Sequence, residues 1–261
     1  MGLPDEGSAY QPRSQDCLGK WAALLYRGAW LALECGNISD SREMAIVSRK
    51  QRMKILGAED QNTLDSTEIL AVAYRLGGRR EEAEKLEVQV IETPKTKLGA
   101  DHLSTLTSMA NLASTVWNQG RWEEAEQLQL QVMETRKTKL GADHPDTLTS
   151  MANLSSTYRN QGRWEESEQL EVQVMEARKT KLGADHLDTL SSMNNLAHTL
   201  RSSGQYTAAL QLMAECVQLF YRKLGPDHPH TISSKTALIE WRGKGDSVFL
   251  AHEPPTDTKD D

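Results

Sequence analysis

The chain holds two phenylalanines and three cysteines in 261 residues, and it has no apolar run near the roughly 20 residues a helix needs to cross a bilayer. Cys17, Cys35 and Cys216 are odd in number and widely separated, so they supply neither a disulfide framework nor a zinc ligand set. They fit a reducing compartment and are expected to be free, mostly buried thiols. Positive charge is also short: Lys and Arg total 30 against 37 Asp and Glu, for a net charge of −7. A general nucleic-acid footprint is therefore not expected. The opening "MGLPDEGS" is acidic where a secretory signal is basic, and Glu6 stands where a myristoylation motif has Ser or Thr. No membrane partner is expected, and the cytoplasm is the expected location. No G-x-x-x-x-G-K-[ST] loop occurs, since Gly19-Lys20 and Gly243-Lys244 lack the upstream glycine.

Large apolar side chains are sparse as well, with 38% apolar residues and a mean hydropathy of −0.59. A compact globule of this length usually carries more, whereas a repeat array manages with Ala, Leu, Val and Met between close-packed helices. The repeat is present. Leu56-Gly57, Leu98-Gly99, Leu140-Gly141, Leu182-Gly183 and Leu224-Gly225 recur every 42 residues, and copies 98–139 and 140–181 agree at 33 of 42 positions.

Each copy reads as two helices. In 140–181, Pro145 suits the first helical position and Asp146 the first turn, where the helix dipole favours an anion. Leu148, Met151, Leu154, Ser155 and Tyr158 then share one face. The "NQGR" turn at 160–163 ends the helix, with Gly162 free to turn left-handed. A second helix follows, with Trp164, Ser167, Leu170, Val174 and Met175 expected inside. Its Glu165, Glu166 and Glu168 near the start and Arg178, Lys179 and Lys181 near the end complement the dipole and read as a solvated face.

The expected organisation is a disordered N-terminus (1–15), a divergent N-terminal capping repeat (16–55), and four repeats at 56–97, 98–139, 140–181 and 182–223. A C-terminal capping helix (224–250) and a disordered tail (251–261) complete it. Neither helix of a copy buries its apolar stripe alone, so neighbouring copies are expected to stack.

Leu154, Ser155, Tyr158, Gly162, Trp164 and Ser167 match the spacing of the tetratricopeptide (TPR) signature. The string "LGADHPDTLTSMANLSSTYRNQGRWEESE" more specifically resembles the long repeats of kinesin light chains and of fungal kinesin-light-chain-like proteins. In many of the latter the array is the C-terminal sensor of a STAND-type, NLR-like receptor, behind an NB-ARC or NACHT domain. "WAALLYRGAWLALECGN" is similar to the segment that opens such arrays. The resemblance implies an all-α, right-handed TPR superhelix of antiparallel helix pairs that binds protein and has no chemistry of its own.

Other chemistries are weighed against that frame. Asp101-His102, Asp143-His144, Asp185-His186 and Asp227-His228 recur at the 42-residue period. Stacked helices lie roughly 8–10 Å apart, too far for one zinc ion to gather successive histidines at about 2.0–2.1 Å. The pairs are expected to satisfy free amides at helix starts. "GDSV" (245–248) is similar to the nucleophile block of GDSL-type hydrolases but has no βαβ pattern around it, leaving Ser247 a minor enzymatic alternative. "RLGGRREE" (75–82) has no strand before it and is not expected to cradle phosphate. No cofactor, metal or small-molecule substrate is expected.

The resemblance implies that the first helices line a concave groove. Its candidate residues, mapped by the repeat, are Asn111, Asn153 and Asn195, then Ser114, Ser156 and His198. Trp117, Arg159 and Arg201 follow, then Asn118, Asn160 and Ser202. An Asn amide both donates to and accepts from a peptide backbone. Arg159 and Arg201 favour an acidic ligand, and Trp117 offers an apolar or cation–π anchor. The competing reading has the Asn ladder bonding to the neighbouring repeat.

Overall fold

The structure, a computed structural model, describes residues 14–249. The expected disordered tail at 251–261 lies outside the described residues, as do residues 1–13 of the expected disordered N-terminus. Ser14 caps the first helix by accepting from the Cys17 amide at 3.2 Å.

Among the described residues the chain forms eleven α-helices and no strand. They come in pairs: α1 (Gln15–Glu34) and α2 (Ile38–Leu56), α3 (Gln61–Leu76) and α4 (Arg80–Leu98), α5 (Leu103–Asn118) and α6 (Trp122–Leu140). The pairs α7 (Pro145–Asn160) and α8 (Trp164–Leu182), and α9 (Leu187–Ser202) and α10 (Tyr206–Leu224), precede a single last helix, α11 (Pro229–Phe249). The repeated sequence is thus a repeated structure, a 16-residue helix followed by one of 19 residues.

The starts and stops follow from single residues. Nδ1 of His102, His144 and His186 accepts from the amide two residues on, at 3.3, 3.2 and 3.2 Å, and Asp60 does the same for α3 at 2.9 Å. The neighbouring aspartates do something else. Asp185 takes the Lys223 ammonium at 3.0 Å, and Asp143 takes Lys181 at 3.5 Å. In the pairs Asp143-His144 and Asp185-His186, then, the histidine caps and the aspartate pairs with the end of the second helix that follows it. Between the two helices of a repeat, Gly162 adopts φ 77°, the left-handed turn its position predicts.

Two compact units make up the chain, residues 1–136 and 137–261, dividing inside α6. In the first, Ala29, Ala45, Ile69 and Leu70 form one buried cluster and Ile91, Leu106, Met109 and Val132 another. In the second, Leu190, Met193, Cys216 and Phe220 are joined by a cluster of Leu196, Ala197, Leu200, Ala209, Met213, Leu238 and Trp241. Each fully buried large side chain contributes roughly 1.5–3 kcal/mol.

Three expectations are corrected. Cys17 and Cys35 are exposed and only Cys216 is buried, its thiol pushed up to about 12 by burial. Cys17 lies in the first turn of α1 and Cys35 caps its other end. On α8, Trp164, Leu170 and Met175 are half-buried while Glu171 is 3% exposed, because Glu171 shares with Ser167 and Val174 the line that faces the neighbouring first helices. Arg178 is not part of a solvated charge run. Its guanidinium reaches across to α9, donating to the Asp188 carbonyl at 3.2 Å and the Ser192 hydroxyl at 2.8 Å. Arg52 makes the same reach from α2 to α3, to the Asn62 carbonyl and Ser66.

Candidate functional site

Burying Leu148, Met151, Leu154, Ser155 and Tyr158 leaves α7 one outward stripe, made of Asp146, Thr149, Asn153, Ser156 and Asn160 at helical spacing. Asp188, Ser191, Asn195, His198 and Ser202 form the corresponding stripe on α9, which contacts α7 directly. In the first unit, considered by itself, α5 carries Asn111, Ser114, Trp117 and Asn118 at helical spacing along that helix.

Some of these groups are spoken for. The Ser114 and Ser156 hydroxyls donate to carbonyls of their own helices, those of Ala110 and Ala152, and the Asn118 amide donates to Ser114 O at 2.7 Å. The Trp117 indole N–H is buried and makes no hydrogen bond among the described residues, so it is not offered to a ligand. The amides of Asn111, Asn153, Asn195 and Asn160 likewise bond to no described residue. The cross-repeat bond is instead made one residue earlier in the copy, where Ser234 of α11 donates to Asn194 Oδ1 at 3.1 Å. Asn153 and Asn195 therefore keep their hydrogen-bonding capacity.

At the C-terminal ends of α7 and α9 the charge turns positive. Burial lowers the pKa of His198, and the nearby Arg159 and Arg201 lower it further. His198 and Arg201 meet at an aromatic ring that sequence reasoning missed. Trp241 of α11 takes the edge of His198 at 4.9 Å between ring centroids and the Arg201 guanidinium over its face at 5.1 Å. Trp241 stands one 42-residue period after Thr199, and Thr occupies the same position at 115 and 157. The first full copy has Ala73 there, so the column varies at both ends and does not single Trp241 out.

Arg159 also has a partner beneath it. Its Nη1 lies 3.9 Å from Oε1 of the buried Glu171, whose pKa is raised chiefly by burial. The pairing accounts for a difference between the two most similar copies. Where one has Arg159 and Glu171, the other has Trp117 and Gln129, neutral in both places. A second pair also changes together: Ser155 and Ser167, whose hydroxyls lie 2.9 Å apart, replace Ala113 and Ala125. The change from Trp117 to Arg159 thus belongs partly to the core.

No metal-binding group of three or more His, Cys, Asp or Glu residues occurs among the described residues. No described helix is long and apolar enough to cross a membrane. Ser247 falls within α11, a helix, and its side chain lies outside what is described.

Comparison with known proteins agrees with this geometry. Two family models, both described as tetratricopeptide repeat, match residues 104–180 and residues 63–104 and 189–230. A Podospora anserina kinesin-light-chain protein of nearly identical TPR-like repeats is 26% identical, with a TM-score of 0.67 over 78% of this chain and 96% of its own. A Rap protein complexed with Competence and Sporulation Factor shares the fold at 11% identity, with a TM-score of 0.65 over 91% of this chain and 71% of its own. The STAND protein PH0952 of Pyrococcus horikoshii, which has a tetratricopeptide repeat sensor, aligns at 11% identity with a TM-score of 0.66, over 94% of this chain and 35% of its own. No curated protein matches by sequence. The 42-residue frame, the helix pairs and the matches from residue 63 to 230 agree, and the chain belongs to the tetratricopeptide repeat family.

Proposed function

We propose that the chain is a non-enzymatic, cytoplasmic scaffold that holds an extended, acidic peptide segment of a partner protein along the outward stripes of α7 and α9. The observation that carries this reading is the pair of uncommitted amides at Asn153 and Asn195, one repeat apart, leading to the cations Arg159 and Arg201. Paired donors and acceptors at a repeat spacing hold a peptide backbone without reading its side chains. The cations then select acidic residues at one end. The Rap protein of the same fold, complexed with Competence and Sporulation Factor, supports a binding role for such an array. A second reading, the sensor array of an NLR-like receptor, has the STAND neighbour in its favour and uses the same stripes.

The test is selection of peptides from a random display library on the full chain. Enriched peptides should be rich in Asp and Glu, and Asn153→Ala/Asn195→Ala should weaken them by about tenfold or more, equivalent to roughly 1.4 kcal/mol. Arg201→Gln should remove the acidic preference. Equal binding by the variants would overturn the assignment. Arg159 is left intact in this test, because replacing it would disturb Glu171 as well as any ligand.

A further inference from the structure

The second unit has another concave surface, on the side of α11 away from the stripes just described. An open groove of about 620 Å³ runs between α10 and α11, lined by the apolar Val217, Leu238 and Ile239 and by the cations Arg222, Lys235 and Arg242. None of the three cations is in an ion pair among the described residues.

The repeat itself shows what shape of object covers such a face. One period earlier, Met193, Ala197 and Leu200 of α9 occupy the positions of Lys235, Ile239 and Arg242, and there α10 lies over them. Ala209 and Met213 cluster with Ala197 and Leu200, while Cys216 and Phe220 cluster with Met193. After α11 the sequence in the same register is 248–261, and it places Pro254-Pro255 where α10 has Leu212-Met213. Proline in a helix interior costs about 3 kcal/mol or more.

Substitutions on α11 say what chemistry the cover has. A terminal repeat needs a polar outer face for solubility, and Lys235 and Arg242 supply one in place of Met193 and Leu200. Position 239 goes the other way. The column reads Ala113, Ser155, Ala197 and then Ile239, a larger apolar side chain that is 61% exposed. A face needed only for solubility has no use for it. Tyr221, 56% exposed on α10, adds to the same apolar strip. An apolar strip between unpaired cations suits an amphipathic helix with an apolar centre and acidic flanks. A second copy of this chain laid face to face would set cation against cation.

We infer that the α10–α11 groove is a docking site for an acidic amphipathic helix of a partner protein, seated where the second helix of a further repeat would lie. The site is independent of the stripes on α7 and α9. In this register the partner carries a small residue opposite Ile239, as Ala209 does opposite Ala197, and carboxylates opposite Arg242 and Lys235.

The probe is a labelled synthetic peptide with the sequence of Tyr206–Leu224 carrying Met213→Glu and Phe220→Glu, titrated by fluorescence anisotropy onto the full chain. The control peptide carries Met213→Lys and Phe220→Lys. The acidic peptide should bind and the basic one should not. Ile239→Asp should weaken binding by about tenfold or more, and Lys235→Glu/Arg242→Glu should reverse the preference between the two peptides. All three side chains are exposed, so thermal melts of the variants should match the parent chain. No binding of the acidic peptide, or binding indifferent to these substitutions, overturns the inference. So does a dimer in sedimentation that Ile239→Asp dissociates, which would assign the face to a second copy. Tighter peptide binding after removal of residues 250–261 would assign it to the chain's own tail, and also overturns it.

Discussion

Nη1 of Arg159 stands 3.9 Å from Oε1 of Glu171, close enough for charge attraction and too far for a hydrogen bond. Neither carboxylate oxygen of Glu171 has a hydrogen-bond partner among the described residues. The Thr199 and Ser155 hydroxyls and, after them, the Arg159 guanidinium offset the burial that raises the Glu171 pKa, and removing the arginine takes away its share of that offset. Arg159→Ala should cost about 1–3 kcal/mol in urea denaturation. The double variant Arg159→Trp/Glu171→Gln, which installs the pair found at Trp117 and Gln129, should recover part of that loss. Equilibrium melts of the two single variants and the double should give a coupling of roughly 0.5–3 kcal/mol. Strict additivity would mean that the two residues do not sense each other.

Glu87 of α4 occupies the same position one pair of repeats earlier, and burial pushes its carboxyl up to about 7. The Thr115 hydroxyl and the Arg75 guanidinium pull it down, while Glu84 and Glu68 push it further up. A carboxyl whose folded value is raised adds stability that is complete below the unfolded value near 4.5 and is lost as pH rises through about 7. The displacement corresponds to about 3 kcal/mol. The parent chain should therefore have a lower urea midpoint at about pH 8 than at about pH 5, and Glu87→Gln should remove most of that difference. Gln129 shows that the fold accepts a buried amide at this position. An unchanged pH profile in the variant would place the titration elsewhere.

The histidine caps make a simpler prediction. His144 Nδ1 accepts from the Asp146 amide, as Asp60 Oδ1 does from Asn62. His144→Ala should cost about 1 kcal/mol, and His144→Asp should be neutral, because the carboxylate takes the same hydrogen bond at a helix start that favours anions. Thermal melts of the two variants would separate a capping role from any other: equal losses would deny it.

The helix frame was legible because local chemistry dictates it. Pro145, Gly162 and the Leu-Gly steps mark boundaries that the structure reproduces at each copy. Contacts that depend on which residues meet across helices were less legible. Arg178 and Lys181 look alike at the end of α8, yet Arg178 lies half-buried against α9 and Lys181 reaches Asp143. Helical spacing does put Glu171 on the buried line with Ser167 and Val174, but its charge argued against placing it there. Its neutralising neighbour twelve residues back is visible only once α7 and α8 are packed. Trp241 was missed for a related reason: as one aromatic in α11 it carries no pattern, and it acquires a role only from His198 and Arg201 on α9.

Two glycines separate backbone demands from packing demands. Gly99, just past α4, has φ 95° and ψ 159°, a region that residues with a Cβ avoid, although nothing lies within 4 Å of where a Cβ would stand. Gly99→Ala should therefore lose roughly 1–3 kcal/mol through conformation alone. Gly28 lies inside α1 with ordinary helical geometry, but an added Cβ would come within 2.8 Å of Met44 Sδ. Methionine is flexible enough to move aside. The helix meanwhile gains up to about 1 kcal/mol from replacing glycine by alanine. Gly28→Ala should leave the melting temperature unchanged or slightly raised, while Gly99→Ala lowers it. A large loss at Gly28 would show that Met44 cannot yield, and that α1 and α2 are packed too closely there for any side chain.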